Sequence, residues 1–374
     1  MSDGPILRIN GTPYIGWTTL QVNNSLDVLC GSFSAQISDR LTAEGGDAAV
    51  ERWPIKRGAE CTVETASGEV LLTAFVETIA PTYDDKQHQL SVSGRSITCD
   101  LVDCSYAGTK REWIDETVFK IIKDLCAPFD ITVKPIGHSA AMQAMDMGKK
   151  IRRFKVNEGE NIAHLIQRAA RMRALRPVDL GDGIVSLIHS SDQLSTDSIE
   201  SGVNIKQARA VGSDRDRYSE YVVKGTALDS DDHDEGDEEE YTAPEGRWKD
   251  EAMSRPRVLV IHSNGVATNA ECEEQAKWEA AVRAGASREF EFLTGGWEQS
   301  NGEAWKLNKL TLVTDPFMGL DDVLLTSSLG FRFGLNGSET RISICPPEKY
   351  ELLDVGDNLV YVTDQFDEES GDEE

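Results

Sequence analysis

The sequence predicts a mixed β and α+β fold in which two small β-barrel domains flank an intervening α/β domain, with a helical insertion in the second barrel. Three observations carry this prediction. Short segments with alternating apolar residues recur over residues 6–101, helical spacing replaces them over residues 112–200, and strand-like segments return after Val203. We expect these boundaries: first barrel 1–102, α/β domain 103–200, second barrel 201–262 and 288–366, helical insertion 263–287, and acidic disordered tail 367–374.

The net charge of the 374-residue chain is −27, and much of it is concentrated in two segments. Asp229–Glu240 carries nine acidic residues and Asp364–Glu374 carries seven, so the rest of the chain still carries −11. Because nucleic-acid binding rests on clustered Lys and Arg, this balance argues against a site that holds the phosphate backbone. The hydrophobic fraction of 39% is ordinary for a soluble globular protein.

Cysteine usage and the N-terminal residues bear on the compartment. The seven cysteines form no CxxC pair, and the closest two, Cys99 and Cys104, have no second Cys or His pair at zinc spacing. We therefore expect reduced structural thiols and no metal site. The N-terminal MSDGPILRINGTPY lacks a basic region followed by an apolar run, and no segment reaches the length of a transmembrane helix. Synthesis in the cytoplasm without membrane insertion is the expectation.

The first barrel is predicted from short strands separated by turns. Cys61–Thr65 and Val70–Ala80 flank Ser67 and Gly68, a hairpin pattern followed by a strand long enough to bend across a barrel. Leu90–Tyr106 then begins as an alternating strand and ends in a short segment flanked by aspartates. This segment marks the boundary between an all-β unit and a mixed unit.

Two amphipathic helices are predicted in the α/β domain. The first spans Glu112–Leu125, with Asp115 and Glu116 in its first turn and an apolar face formed by Ile114, Val118, Ile121, Ile122 and Leu125. The second is expected to be capped by Asn157 or Glu158, and its buried stripe consists of Ile162, Leu165, Ile166 and Ala169. A strand over Ile184–Ile188 follows.

The basic cluster of the chain consists of Arg168, Arg171, Arg173 and Arg176. We expect a solvated helix face that answers an acidic partner or a neighbouring subunit, because charge runs usually serve that purpose. A nucleic-acid site is the alternative.

The acidic segment Asp229–Glu240 invites comparison with a calcium loop. An EF-hand needs glycine at its sixth position and glutamate at its twelfth, but placing Gly236 sixth puts Thr242 twelfth. We expect a solvated excursion, with low-affinity cation binding as the alternative.

The C-terminal third combines strands with one strong helix. Asn269–Ser287 is rich in helix-forming residues, and Trp278, Ala281 and Val282 are available for packing. Strand-like segments precede it in DRYSEYVVKGTA and RPRVLVIHS, and they resume after it in REFEFLTGG and ETRISIC. This layout predicts a second barrel that contains a helical insertion.

Three segments carry a resemblance to a known family. VSGRSITCDLVDCSY, FKVNEGENIAHLIQRAARMRALRPVDLGDG, and AKWEAAVRAGASREFEF with the following GGWEQSNGEAWKLNKLTLVTDP occur in this order along the chain. They resemble the baseplate hub proteins of Mu-like contractile-tailed bacteriophages, a group related to late-control tail proteins and to the hub part of type VI secretion spikes. The acidic segment and the acidic tail have no counterpart that we can assign in this family.

The resemblance implies a structural role in the virion. It implies a homotrimer that adapts a sixfold tail tube to a threefold central spike, because each chain would contribute two similar barrels. The implied partners are a trimeric tail spike protein, a tail tube protein or tube initiator, other baseplate proteins, and DNA only in transit through the lumen. The implied location is the tail baseplate of a virion assembled in the host cytoplasm.

A tail-associated peptidoglycan-binding or peptidoglycan-hydrolysing protein is the alternative function. Glu158 and Glu160 near His164 suggest a carboxylate pair, but carboxylates at a helix start are commonly capping or dipole partners, and His164 reads as an interface or packed histidine. The chain contains no GxSxG, HExxH or phosphate-binding loop. We therefore expect no enzyme activity, no catalytic residues and no cofactor.

Two tryptophans lie in the Gly- and Asn-rich segment GGWEQSNGEAWKLNK. Trp297 and Trp305 are candidates for an exposed subunit interface, since obligate interfaces draw on aromatic side chains. The alternative is that both fill the end of the second barrel as core residues.

Overall fold

A computed structural model of the chain describes residues 4–39, 55–83, 88–136, 150–157, 159–190, 193–226, 244–266 and 268–353. The acidic segment Asp229–Glu240, the acidic tail and Glu158 lie outside these residues. The fold is rich in strands with few helices, so the predicted mixed β and α+β class is confirmed.

The N-terminal part consists of strands. They are β1 (Ile6–Ile9), β2 (Thr12–Tyr14), β3 (Thr19–Ser25), β4 (Ser32–Asp39), β5 (Glu60–Glu64), β6 (Val70–Tyr83) and β7 (His88–Ser96). Side chains alternate along β3, where Leu20, Val22 and Asn24 are buried and the intervening residues are not. The predicted hairpin is present as β5 and β6, which pair antiparallel.

The middle part is mixed. It contains α1 (Cys99–Asp103), β8 (Glu112–Thr117), α2 (Val118–Cys126), β9 (Val133–Ile136), β10 (Lys150–Lys155), α3 (Ile162–Arg171), β11 (Arg176–Val178) and β12 (Val185–Ile188), with a 3-10 turn at Ala127–Phe129. Helices α2 and α3 pack on a core of their own, which includes Trp113, Phe154 and Leu165.

The C-terminal part returns to strands. It contains β13 (Ile199–Glu200), β14 (Ile205–Gly212), β15 (Glu220–Thr226), β16 (Glu245–Lys249), β17 (Val258–Val266), α4 (Asn269–Ala286), β18 (Arg288–Gly295), β19 (Leu310–Asp315), β20 (Leu320–Gly334) and β21 (Gly337–Cys345), followed by a 3-10 turn at Pro347–Tyr350.

One large sheet joins the two strand-rich parts. It has 13 strands, and its main path runs β14-β18-β21-β20-β3-β4-β7-β6-β5-β1-β2, with β19 and β13 branching from β20. β20 of the C-terminal part pairs with β3 of the N-terminal part over Ser328–Phe333. Among the described strands this path is open at both ends. The two strand-rich parts therefore share one sheet and one core.

The predicted helix over Glu112–Leu125 is wrong in its first half. Glu112–Thr117 is strand β8, which pairs antiparallel with β10, and Ile114 is 62% exposed although the helical pattern placed it on the buried face. The helix begins at Val118 because the Thr117 side chain caps it by accepting a hydrogen bond from the Lys120 amide. A pairing partner distant in the sequence decides this boundary.

The second predicted helix is confirmed, with a different cap. Asn161, rather than Asn157 or Glu158, is the N-cap, and its side-chain oxygen accepts a hydrogen bond of 2.7 Å from the His164 amide. The predicted buried stripe is confirmed at Ile162, Leu165, Ile166 and Ala169. The predicted strand at Ile184–Ile188 is β12.

The predicted helix at Asn269–Ser287 is confirmed as α4, which packs on a small separate sheet. Thr268 and Glu271 form a capping box at its start. The sheet order is β16-β15-β17, and Tyr221 and Val223 of β15 share a core with Cys272, Ala276 and Ala280 of the helix. The strands before the helix therefore pack with it instead of joining the large sheet.

Candidate assembly surface

The large sheet contains the same arrangement of strands twice. In the N-terminal part β3, β4, β6 and β7 lie in the order β3-β4-β7-β6, and in the C-terminal part β14, β18, β20 and β21 lie in the order β14-β18-β21-β20. In both, the spatial order is first, second, fourth, third along the chain, and all neighbours are antiparallel. We call these four-stranded sets the first repeat and the second repeat.

The third strand of each repeat carries a β-bulge at the same place. The register of β6 against β7 shifts between Val76 and Thr78, and that of β20 against β21 shifts between Thr326 and Ser328. Thr78 and Ser328 are therefore equivalent positions. The agreement extends the likeness of the two repeats from strand order to residue register.

The junction between the repeats uses two particular strands. β20, the third strand of the second repeat, pairs antiparallel with β3, the first strand of the first repeat, in a register where Gly330 lies opposite Asn23. Outside the strand ladder, the Leu26 amide donates to the Ser327 carbonyl at 2.9 Å. The strands equivalent to β20 and β3 in the other repeat are β6 and β14, which lie at the outer ends of the two repeats. Each would need a partner strand of the same kind.

Those outer strands, β6 and β14, are unpaired on one side among the described residues. β14 pairs only with β18, and the half of β6 beyond Val76 pairs only with β7, because β5 ends its pairing at Phe75. Val211 on β14 is 46% exposed and Tyr83 on β6 is 78% exposed. Exposed edges of this length are templates for pairing with another chain.

One face of the joined repeats is polar and uncovered, and we call it the open face. It presents small neutral side chains such as Gln21, Asn23, Ser34, Ser91, Ser93 and Ser343. Several of its charged groups form ion pairs: Arg95 with Glu77 and Asp103, Arg341 with Glu291, and Lys206 with Glu339. Arg209 and Arg332 lie on the same face and are exposed, and the ion pairs of the described residues do not include them.

The two tryptophans predicted as exposed interface candidates are buried. Trp297 is 5% exposed and Trp305 is 4% exposed, and both belong to the core under the sheet. The Trp297 indole donates to the Arg332 carbonyl at 2.9 Å and meets the Phe331 ring edge-on at 5.9 Å. The core alternative is correct, because the segment folds back under the sheet and not outward.

Of the suggested carboxylate pair, the structure describes Glu160. The Glu160 carboxylate is held by Arg168 at 2.9 Å and accepts a hydrogen bond from the Asn157 amide at 3.2 Å, while Glu158 lies outside the described residues. His164 is exposed on α3, so the packed alternative for this histidine is wrong and the interface alternative stays a prediction. Glu160 therefore stabilises the start of the helix, as carboxylates at this position commonly do.

The basic cluster is largely internal. Arg168 lies 4.3 Å from the centre of the Phe154 ring, Arg173 is buried and donates to the Lys150 carbonyl at 2.9 Å, and Arg176 stacks on Tyr350 at 4.8 Å. Burial lowers the pKa of the Arg176 guanidinium. The expected solvated face is wrong for Arg173, which is buried, while Arg168 and Arg176 are half-buried with guanidiniums that join structural elements.

No group of metal-ligating side chains occurs within the part of the chain that the structure describes. All seven cysteines are free thiols, and burial raises the pKa of Cys61 and of Cys126 to about 12. Among the described residues, no helix is both long enough and apolar enough to cross a membrane.

The sequence reasoning missed the two edge strands as functional elements. β14 reads IKQARAVG, in which Ile205 and Ala208 are partly buried and the other six residues are exposed, so it has no clear alternation that would mark it as a strand. The only local signal is the likeness of the two long strands β6 and β20, which each lead into an antiparallel partner.

Three family models match the chain in sequence order. The N-terminal domain of Mu phage baseplate assembly protein GpP-like proteins matches residues 6–96, and the second domain of baseplate hub protein gp44-like proteins matches residues 98–189. The fourth domain of Mu phage baseplate assembly protein GpP matches residues 268–353. Together these matches cover the first repeat, the mixed region and three of the four strands of the second repeat.

Whole proteins are also similar. The chain is 26% identical over 353 residues to baseplate hub protein gp44 of Escherichia phage Mu, covering 94% of this chain and 89% of the relative. The crystal structure of the 43 kDa tail protein of prophage MuSo2 from Shewanella oneidensis superposes with a TM-score of 0.79 at 28% identity, over 93% of this chain and 99% of that one. A tail protein from Neisseria meningitidis MC58 shares the fold, with a TM-score of 0.75 at 18% identity over 94% and 99% of the two chains. The chain belongs to the family of baseplate hub proteins of Mu-like bacteriophages.

Proposed function

We propose that this protein is a structural baseplate hub in which three copies close a ring, and that the ring adapts the sixfold tube of a contractile tail to its threefold central spike. The observation that supports the ring is the repeated strand order combined with two edge strands, β6 and β14, which are equivalent to the junction strands β20 and β3 and are unpaired on one side among the described residues. Two repeats in each of three chains make six similar positions, while the whole chain repeats three times.

The internal junction supplies the geometry of the proposed contact. Inside one chain, the third strand of the second repeat pairs with the first strand of the first repeat. The remaining combination is β6, the third strand of the first repeat, with β14, the first strand of the second repeat, in the neighbouring chain. Carrying over the register through the bulges places Ala80 opposite Val211 and Thr82 opposite Arg209. Pro81 contributes no amide hydrogen to this pairing.

Partners and location follow from the ring and the family. One end would present six similar positions to the tail tube protein or tube initiator, the other would carry the trimeric spike, and other baseplate proteins would bind outside. DNA would pass only in transit through the lumen. The complex would belong to the virion tail baseplate and would assemble in the host cytoplasm.

We also propose how the predicted domains are arranged in the ring. The first barrel at 1–102 and the second at 201–262 with 288–366 would each contribute one repeat to the ring, with the α/β domain at 103–200 outside. The insertion at 263–287 would carry α4, and the tail at 367–374 would be disordered. In this proposal the barrel-like positions form when three chains assemble into the ring, and not within one chain.

The protein would act without enzyme activity. The relatives in the family are named as baseplate hub and tail proteins. Nothing in the described residues favours the peptidoglycan alternative, because Glu160 is held in an ion pair with Arg168. We therefore retain a single function.

Charge placed at the proposed contact tests the ring. Val211→Asp should convert a trimer into a folded monomer, because it puts a charge on the edge strand directly opposite Ala80 at all three contacts, and charged edge residues oppose pairing with another chain. Val323→Asp is the matched control, since Val323 is 45% exposed against 46% for Val211 and lies away from both edges. Light scattering gives the mass of each variant; a trimer for Val211→Asp would contradict the proposed contact.

A further inference from the structure

We infer that the open face lines the lumen of the ring, and that Glu77, Asp103 and Glu291 occupy the guanidiniums of Arg95 and Arg341 so that these two arginines do not add to the affinity of the lining for a passing duplex. The inference rests on the proposed ring and deepens it. It assigns to named carboxylates the task of keeping two arginines of a channel lining from binding phosphate.

The placement of the open face follows from where the rest of the chain lies. Val178, Ile188, Trp297 and Leu307 pack with the buried side of the sheet, so the mixed region and the loop after β18 cover that side. Each chain contributes eight strands to the two repeats, so three chains contribute three times eight, or 24. Barrels of about 16–18 strands already enclose an aqueous channel. A 24-stranded ring has room for a channel but not for the bulk of three chains, so the covered side faces outward.

The chemistry of the open face differs from that of the chain as a whole. The chain carries a net charge of −27, yet hydroxyl and amide side chains such as Gln21, Asn23, Ser34 and Ser93 dominate the first-repeat part of this face. The second-repeat part carries the ion pairs of Arg341 and Lys206 together with the exposed Arg209 and Arg332. Hydroxyl and amide groups carry no charge that would attract or repel a polyanion strongly. Free guanidiniums would be different, because each arginine that reaches a phosphate releases counterions and adds affinity.

Arg95 is held by two carboxylates at once. Its Nε and Nη2 donate to Glu77 at 2.9 and 2.7 Å, and its Nη1 and Nη2 donate to Asp103 at 3.0 and 2.6 Å. This bidentate geometry uses the planar fork with which arginine also recognises phosphate. The hydrogen bond from Arg95 lowers the pKa of Asp103, so the pair stays ionised at neutral pH.

Arg341 and Lys206 are held in the second repeat. Arg341 Nη1 donates to Glu291 at 2.6 Å, and Lys206 donates to Glu339 at 3.1 Å. Both repeats therefore place a carboxylate against a cation on the same face. Exposed ion pairs add little stability, so stability alone does not account for them.

The test removes the carboxylates and keeps the arginine. Glu77→Gln/Asp103→Asn frees Arg95 on the open face. Glu220→Gln/Glu245→Gln is the matched control, because those two carboxylates hold Arg247 at 3.1 and 2.6 Å on the separate small sheet. Both variants change the charge equally. Each full-length protein is mixed with a linear duplex and with a covalently closed circle of the same sequence, and binding is measured against salt.

The inference predicts that Glu77→Gln/Asp103→Asn retains the linear duplex at least about tenfold more tightly than wild type or control, and does not retain the circle, which cannot thread a closed ring. Three freed arginines per ring should make the log–log salt slope steeper than that of wild type by about 2.7. Equal retention of linear and circular DNA would overturn the lumen placement. Retention no better than that of the control would overturn the masking role, as would equally tight binding by wild type.

The molecular mass of the wild-type assembly distinguishes failure of this inference from failure of the proposed ring. If wild type is not a trimer, the proposed function fails; if it is a trimer and the DNA result is negative, only the inference fails. Should Glu77→Gln/Asp103→Asn not assemble, Glu291→Gln frees Arg341 in the second repeat, and the same outcomes then decide.

Discussion

At the scale of single residues, a buried carboxylate links the mixed region to the large sheet. Asp179 follows β11 and accepts hydrogen bonds from the hydroxyls of Ser96 and Thr98 and from the amides of Gly181 and Gly183, the latter two at 2.8 and 3.1 Å. Burial raises its pKa, while these donors favour the ionised form. The carboxylate thus closes the turn after β11 and fixes it to the end of β7.

Removing this acceptor should destabilise the fold. Asp179→Asn presents an amide to two hydroxyl donors, so we expect the free energy of unfolding to fall by about 2–3 kcal/mol. Urea denaturation measures the change. Asp182→Asn is the control in the same turn, because Asp182 is an exposed partner of Lys134 and should change stability by less than about 1 kcal/mol. Equal effects of the two variants would contradict a structural role for Asp179.

The buried tryptophans give a second prediction at this scale. Trp297→Ser should lower the free energy of unfolding by about 3–5 kcal/mol, because it leaves a cavity against Phe331 under the sheet. Trp248→Ser is the control, since Trp248 is 37% exposed on the small sheet. Denaturant unfolding compares them. A stable, folded monomer of Trp297→Ser would instead restore the interface interpretation.

At the scale of elements, local sequence predicted helices with strong end signals and failed where a distant partner decides. Helix α4 combines helix-forming residues with a capping box at Thr268 and Glu271, and its bounds were predicted almost fully. Strand β8 has an apolar spacing that also suits a helix, and only its pairing with Lys150–Lys155 makes it a strand. The prediction of a solvated face for the basic cluster failed for a related reason, because the burial of Arg173 depends on tertiary packing.

The contact between α4 and the small sheet depends on one glycine. A Cβ at Gly246 would lie 2.0 Å from the Glu273 amide nitrogen of the helix backbone. Gly246→Ala should therefore push α4 off β16 and cost about 1–3 kcal/mol, as overpacking does. Gly334→Ala is the control, since its Cβ would meet only Thr19 at 3.9 Å. Thermal unfolding distinguishes the two; an unchanged melting temperature for Gly246→Ala would contradict this contact.

At the scale of the whole molecule, the order of strands in space was not readable from the sequence. Alternation predicted most strands, and the resemblance predicted the family, which the comparisons bear out. The sharing of one sheet by both strand-rich parts rests on β20 pairing with β3, strands about 300 residues apart in the sequence. The candidate assembly edges follow from that pairing, so sequence periodicity alone could not reveal them.

The central claim is that β6 of one chain pairs with β14 of the next in the register that places Ala80 opposite Val211. Directly opposed residues on one face of an antiparallel pair have Cβ atoms about 4.5–5.5 Å apart, close enough for a disulfide after small adjustment. Ala80→Cys/Val211→Cys should therefore yield a covalent trimer on a non-reducing gel after mild oxidation. Ala80→Cys/Gln207→Cys, displaced by four residues or about 13 Å along the strand, should yield none. A trimer by mass in which the first pair forms no cross-link, or cross-links no better than the displaced pair, would contradict the account.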